Sequence, residues 1–149
     1  MSTSTPSTPT ASIPESHRDL IERPVYVVLT TMMPDGQPQS TIVWWDGDGE
    51  YVRVNTALQR QKAKNMARNT RVTILAMDNH ARWLEVRGVV EEITQEGALE
   101  HIDKLSHKYA GKPYYGDGGM NPIEQKDRET RVMVKIRPTK VLAFPPKRG

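Results

Sequence analysis

The residues with the clearest chemical potential lie in one basic segment of the chain. Residues 51–77 contain no Asp or Glu, and they carry six cations: Arg53, Arg60, Lys62, Lys64, Arg68 and Arg71. The core of this segment, RQKAKN at residues 60–65, comes where a predicted strand turns into a predicted helix. Cations in the first helical turn face the positive end of the macrodipole, which costs about a few tenths of a kcal/mol each unless an anion shares the site. The pattern therefore predicts a phosphate-binding site.

The alternative for this segment is a solvated cationic helix face, which is the usual fate of a charge run. Two observations favour the phosphate site: no acidic residue four positions away neutralises the cations, and the run begins at a helix start. The chain has no glycine-rich Walker sequence, so a nucleotide P-loop is excluded.

Composition narrows the functional classes further. The net charge is only +3, so positive charge is concentrated in this segment, and Tyr51 is the segment's one aromatic residue. Both facts argue against a nucleic-acid partner. The absence of cysteine excludes disulfides and thiol catalysis, and the four histidines show no metal-ligand spacing. No nucleophile with its base stands out, so no catalytic residue is predicted, and a cofactor is expected to supply the reactivity.

The N-terminal segment differs in composition from the rest of the chain. Residues 1–14 are rich in Ser, Thr and Pro, which predicts a disordered tail, and residues 15–149 are expected to form a single domain. No apolar run approaches the roughly 20 residues of a membrane span, and the N-terminus lacks an apolar signal core. We therefore expect a cytoplasmic protein without a membrane partner.

Periodicity and turn signals predict a mainly β fold. Strands are predicted at residues 25–31, 39–45, 50–55, 71–77, 83–93, 131–136 and 141–144, and helices at 16–22, 59–68 and 94–110. Thr56 is a candidate cap for the middle helix, and Gly88 suggests a bulge. Short strands separated by turns predict an antiparallel barrel with flanking helices, in which the second strand lies beside the third.

Three further groups have two interpretations each. The polar second strand could hydrogen-bond a planar ring, or its Ser and Thr could simply face water. Trp44 and Trp45 must point to opposite faces of a strand, so at most one fills the core, and the other needs a partner subunit, a ligand or the loop at 112–127 to cover it. On that loop, Tyr114 and Tyr115 could form a lid or lie on an ordinary surface loop.

Several of these motifs occur together in a known pattern. VLTT at 28–31, PDGQPQ at 34–39, VWW at 43–45, YVRVNT at 51–56, RQKAKN at 60–65 and RV at 71–72 resemble the pyridoxamine-5′-phosphate-oxidase-like split β-barrel superfamily. More narrowly, the chain resembles the branch of flavin and deazaflavin oxidoreductases that use coenzyme F420. The resemblance covers roughly residues 24–144. It implies an antiparallel, FMN-binding-like split β-barrel.

The resemblance also implies a homodimer with cofactor grooves between the barrels. Arg60 and Lys62 would bind the phosphate with Lys64 and Asn65 alongside. The ring and ribityl chain would be lined by a set of strand residues: Gln39, Ser40, Thr41, Ile42, Asn55 and Thr56. Trp83 would be contributed by the second subunit.

The implied activity is hydride transfer from a reduced deazaflavin to an activated double bond of a small organic substrate. The C-terminus lacks the Trp-Arg-Leu motif of true pyridoxamine phosphate oxidases, which argues against vitamin B6 oxidation. FMN remains the alternative to F420 as cofactor, and it would make the chain an FMN-binding flavoprotein of the same superfamily. The same fold could also carry haem or another tetrapyrrole, and such a carrier would need His80 or His107 as its ligand.

Overall fold

The computed structural model describes residues 11–79 and 81–146, which fold into one curled antiparallel sheet with helices outside it. Its strands are β1 (Tyr26–Met32), β2 (Pro38–Val43), β3 (Trp45–Asp48), β4 (Tyr51–Ala57), β5 (Arg71–Asp78), β6 (Arg82–Thr94) and β7 (Arg131–Phe144). Its helices are α1 (Asp19–Glu22), α2 (Gln61–Arg68) and α3 (Ala98–Ala110), with short 3-10 turns at Glu15–His17 and Ile123–Asp127. The mainly β, antiparallel fold predicted from the sequence is confirmed.

The strand order across the sheet is β2-β1-β5-β6-β7-β4-β3. Alternating apolar side chains from these strands meet inside the curl and form the core, which includes Leu29, Val54, Ile74, Leu84 and Ile136. Each fully buried aliphatic side chain of this kind stabilises the fold by about 1.5–3 kcal/mol. Within the described residues, no helix has the length and hydropathy needed to cross a bilayer.

The predicted second strand is divided in two at Trp44. Its first part, β2, pairs with β1 at one edge of the sheet, and its continuation, β3, pairs with β4 at the other edge. The prediction that the second strand lies along the third was therefore wrong for β2 and right only for β3. The chain crosses between the two edges at Trp44, and this crossing brings the end of β2 close to β4 although the two strands do not pair.

The two tryptophans at this crossing have different environments. Trp45 is fully buried, and its indole Nε1–H donates to the carbonyl oxygen of Leu20 at 3.0 Å, which fixes α1 against β3. Trp44 is partly exposed and stacks on Tyr109 of α3, with 5.4 Å between the ring centroids. The prediction that only one of them fills the core is confirmed.

Three predicted boundaries were wrong. α2 begins at Gln61 with Arg60 as its N-cap residue, so Thr56 belongs to β4 and caps nothing. α3 begins at Ala98 rather than at Thr94, and Thr94 is the last residue of β6. The last two predicted strands are one continuous β7.

Pro138 does not break β7 because it lies at the predicted bulge. It is opposite Gly88, where the register of the β6–β7 pair shifts. Because the ladder is interrupted at this position, the strand tolerates a proline, which has no N–H group to donate. A Cβ at Gly88 would lie 2.6 Å from the carbonyl oxygen of Arg137, which explains why glycine occupies this position.

Part of the predicted tail packs on the barrel. Residues 1–10 lie outside the described residues. The Ala11 N–H donates to the carbonyl oxygen of Pro138 at 2.9 Å, and Ile13 is buried in the core. The packed chain thus includes residues that the sequence assigns to the tail.

Candidate functional site

A groove of about 260 Å³ opens where β4 ends and α2 begins. The crossing at Trp44 forms one side of it, and α3 together with the loop at residues 112–127 forms the other. Its wall consists of Ile42, Val43, Trp44, Asn55, Thr56, Arg60, Lys62, Ile102, Tyr114, Met120, Asn121 and Arg131. The lining combines three cations with an apolar and aromatic surface, which suits a ligand that has an anionic group and a ring.

Arg60 and Lys62 lie at the start of α2 without an ionic partner. Neither side chain makes a hydrogen bond or an ion pair with any residue in 11–79 or 81–146. Arg60 caps the helix without a side-chain hydrogen bond, so the first helical N–H groups face the same region. Burial lowers the pKa of Lys62, and the nearby charges of Arg60 and Arg131 lower it further. An anion in the groove would relieve this repulsion.

Thr56 lies in the groove wall, but on β4 it shares the strand face of Val52 and Val54, which point into the core. It is only 2% exposed, and its Oγ1 atom has no hydrogen-bond partner among the described residues. An unpaired buried hydroxyl costs about 1–3 kcal/mol. The cations of the groove, rather than this hydroxyl, fit the phosphate of a phosphorylated ring compound.

The third cation, Arg131, comes from the first residue of β7 and is 6% exposed. Its Nε–H donates to Asn55 Oδ1 at 2.9 Å, and its Nη1 lies 3.5 Å from Glu129 Oε1. Glu129 also accepts a hydrogen bond from the Tyr115 hydroxyl at 2.5 Å. Burial, together with this carboxylate, raises the pKa of Tyr115 well above its ordinary value.

The loop at residues 112–127 is a packed wall of the groove. The Tyr114 N–H donates to Asp103 Oδ1 on α3 at 3.0 Å, and the Tyr114 ring meets Trp44 edge-on at a centroid distance of 6.2 Å. Tyr109 completes this aromatic cluster, and burial raises the pKa of its hydroxyl to about 12. Tyr114 therefore covers Trp44 and restricts water near the cations.

The structure brings five of the predicted site residues to the groove and leaves six outside its wall. Those in the wall are Ile42, Asn55, Thr56, Arg60 and Lys62. Those outside it are Gln39, Ser40, Thr41, Lys64, Asn65 and Trp83.

The residues outside the wall have other partners or other faces. Asn65 is fully buried and donates to Thr31 Oγ1 at 3.0 Å and to Gln39 Oε1 at 3.3 Å, which holds α2 against β1 and β2. Ser40 hydrogen-bonds Thr30 at 2.8 Å. Thr41 Oγ1 is buried without a partner among the described residues, and Lys64 is exposed.

Within one chain, Trp83 lies outside the groove wall and stacks on Phe144, with 5.6 Å between the ring centroids. Its predicted contribution to a partner's groove stays a prediction. Of the two histidines considered as haem ligands, His80 is outside the described residues. His107 is exposed and lies 3.5 Å from Asp103 Oδ2. Among the described residues, no group of three His, Cys, Asp or Glu could hold a metal ion.

Arg131 is the charged residue of the groove wall that the sequence did not indicate. It lies outside the basic segment and close to Glu129, so in sequence it looks like half of an ordinary surface ion pair. The signal that could have found it is its position at the first residue of a buried strand, where a long cation can reach a strand end.

Comparison with known proteins places this chain in a family. Residues 13–144 match the family model of pyridoxamine 5′-phosphate oxidase. The chain belongs to the pyridoxamine 5′-phosphate oxidase family. No curated protein matches the chain.

Solved structures resemble the chain along nearly its whole length. One, described as an F420 reductase, is 36% identical with a TM-score of 0.73, covering 87% of this chain and 98% of its own. The protein Rv2991 from Mycobacterium tuberculosis is 24% identical with a TM-score of 0.68, covering 99% and 96%. General Stress Protein 26 from Bacillus anthracis is 18% identical with a TM-score of 0.64, covering 89% and 94%, and shares the fold.

Proposed function

We propose that this protein is an F420-dependent reductase that acts on an activated double bond of a small organic substrate. The observation that carries the proposal is the pair of unpartnered cations, Arg60 and Lys62, at the start of α2 in the wall of the groove. The similarity to an F420 reductase at 36% identity favours the deazaflavin over FMN. When bound, the reduced deazaflavin supplies the hydride.

The chain's own residues bind the cofactor and shield it from water. Arg60 and Lys62 hold the cofactor phosphate through charge-assisted hydrogen bonds, each contributing about 1.5–3 kcal/mol to affinity. The side chains of Ile42 and Trp44 provide apolar surface for the ring, and together they exclude water from it.

The proposal includes a homodimer. Cross-strand pairing aligns Tyr26, Met77, Trp83 and Phe144 in one row across β1, β5, β6 and β7. Tyr26 is 73% exposed, and Met77 and Phe144 are also exposed. An exposed apolar row of this kind is typical of a protein–protein contact, and a second copy would cover it and receive Trp83. Light scattering of the purified protein measures its oligomeric state. The homodimer would be contradicted if the protein were monomeric and Met77→Glu left its F420 affinity unchanged.

A parallel titration tests the cofactor. We expect the purified protein to bind F420 clearly, FMN weakly and FAD more weakly, as measured by fluorescence quenching. Tight FMN binding with a yellow purified protein would instead establish the FMN-binding flavoprotein. A Soret band with no flavin or deazaflavin binding would establish the tetrapyrrole carrier.

A further inference from the structure

Arg131 reaches the groove with one side of its guanidinium already engaged. Nε–H donates to Asn55 Oδ1 at 2.9 Å, and Nη1 is 3.4 Å from the Tyr114 hydroxyl and 3.5 Å from Glu129 Oε1. The Tyr114 ring lies 5.0 Å from its Cζ atom. Nη2 has no hydrogen-bond partner among residues 11–79 and 81–146. One donor group of a nearly buried arginine is thus left for a ligand in the groove.

A buried hydrogen-bond chain lies behind this arginine. Because the guanidinium donates to Asn55 Oδ1, the amide orientation is fixed, and Nδ2 donates to the carbonyl oxygen of Ala98 at 2.9 Å and to His101 Nδ1 at 3.1 Å. The proton of the neutral imidazole must then be on Nε2, which lies 3.1 Å from Asp46 Oδ1. Asp46, His101 and Asn55 are all buried, so the chain determines where the Arg131 guanidinium lies.

The charge balance of the groove favours an anion close to Arg131. Lys62 and Arg131 line the same groove, and the positive charge of Arg131 helps to lower the pKa of Lys62. Glu129 neutralises part of the charge, but its carboxylate also accepts from Tyr115 at 2.5 Å and from Gln125 at 3.4 Å.

We propose that Arg131 is a third cationic ligand of the phosphate in this groove, and that the Asp46–His101–Asn55 chain holds its guanidinium in place. Arg131 is then a binding residue, and Asp46, His101 and Asn55 are positioning residues. The inference rests on the proposed function, since it takes the groove as the site of a phosphorylated cofactor.

The test measures how strongly the protein prefers a phosphorylated ring compound over its phosphate-free counterpart. Two pairs serve as probes, and the members of each differ only in the phosphate: deazariboflavin 5′-phosphate with deazariboflavin, and FMN with riboflavin. The preference is the ratio of the two dissociation constants within a pair. A merely structural change lowers both affinities and leaves this ratio unmoved.

We expect Arg131→Gln to lower the preference at least tenfold. Arg131→Lys should give an intermediate loss, because lysine keeps the charge and cannot contact Asn55 and the phosphate together. Arg128→Gln is the matched control, since Arg128 is exposed and outside the groove wall, and it should leave the ratio unchanged. If Arg131→Gln does not fold, Arg131→Lys decides the matter.

The positioning role has its own readout. His101→Phe removes one of the two acceptors of the Asn55 amide, leaving the Ala98 carbonyl oxygen, and should lower the preference severalfold without touching the ligand. An unchanged ratio in His101→Phe would overturn the positioning role. The role of Arg131 would be overturned if Arg131→Gln and Arg131→Lys left the ratio unchanged while Lys62→Met clearly lowered it. The proposed function would then remain intact. Failure of all of them to move the ratio would overturn the cofactor site itself.

Discussion

Arg53 and Lys62 belong to the same acid-free segment, yet the fold uses them in opposite ways. Arg53 lies on β4 and makes two hydrogen bonds of 2.9 Å to Asp46, one to each carboxylate oxygen. Lys62 lies on α2, partly buried, and the charges nearest to it are cations that help to lower its pKa. Two cations that look alike in sequence therefore differ in what they contribute: one stabilises the folded chain, and the other prepares it for an anion.

Removing Arg53 should have the largest effect, and mainly on stability. Arg53→Met takes from the Asp46 carboxylate, whose side chain is 10% exposed, the partner that contacts both of its oxygens. Breaking a buried pair in this way costs about 3–5 kcal/mol. Urea unfolding of the cofactor-free protein measures the loss. If Arg53→Met weakened phosphate preference as much as a change at Lys62 does, the division between the two cations would be wrong.

Removing Lys62 should weaken cofactor binding without lowering the stability of the cofactor-free protein. Lys62→Met takes away one charge-assisted contact to the phosphate, so F420 affinity should fall by about 1.5–3 kcal/mol. The cofactor-free protein should be no less stable than the wild type, because the variant loses a partly buried cation that Arg60 and Arg131 repel. Titration and urea unfolding of the same samples give both quantities. A destabilised variant with unchanged affinity would contradict the comparison.

The ion pair of Arg53 should also appear as a pH dependence. Burial raises the pKa of Asp46, but hydrogen bonds from His101 and Arg53 outweigh it and hold the pKa at about 2, below the ordinary 3.8. A carboxylate with a lowered pKa in the folded state stabilises the fold fully above about pH 4 and loses this contribution as the pH falls towards 2. The stability advantage of the wild type over Asp46→Asn should shrink by up to about 2 kcal/mol in that window.

Urea unfolding between about pH 5.5 and pH 2 checks this dependence, since that range extends from above the ordinary pKa of an aspartate to the lowered pKa of Asp46. Asp127→Asn is the control, because Asp127 is exposed and has no side-chain partner among the described residues. Parallel stability curves for the wild type and Asp46→Asn would show that Asp46 is not the group responsible.

Lys64 should give the smallest effect and so mark the limit of the site. Its side chain is exposed on α2 and lies outside the groove wall. Lys64→Ala should change F420 affinity by less than about 0.5 kcal/mol, as expected for an exposed charge that solvent and salt screen. The same titration used for Lys62 measures it. A tenfold loss would mean that the anionic ligand extends along the outer face of α2.

The sequence alone predicts the chemical class of the proposed site, and it correctly predicted most of the elements that carry it. An acid-free, cation-rich turn between a strand and a helix was sufficient to predict Arg60 and Lys62, because charge pattern and helix polarity are local properties. Alternation and turn residues predicted the antiparallel strands and the bulge at Gly88 for the same reason.

The identity of the other residues that join those two cations depends on the folded chain. The chain crosses from one sheet edge to the other at Trp44, and the strand order sets β7 next to β4, so Arg131 meets Asn55 from 76 positions away. The same order turns Asn65 inwards to Gln39 and leaves Lys64 in solvent. Contacts of this kind depend on how distant strands pair and curl, and no local pattern of residues encodes that arrangement.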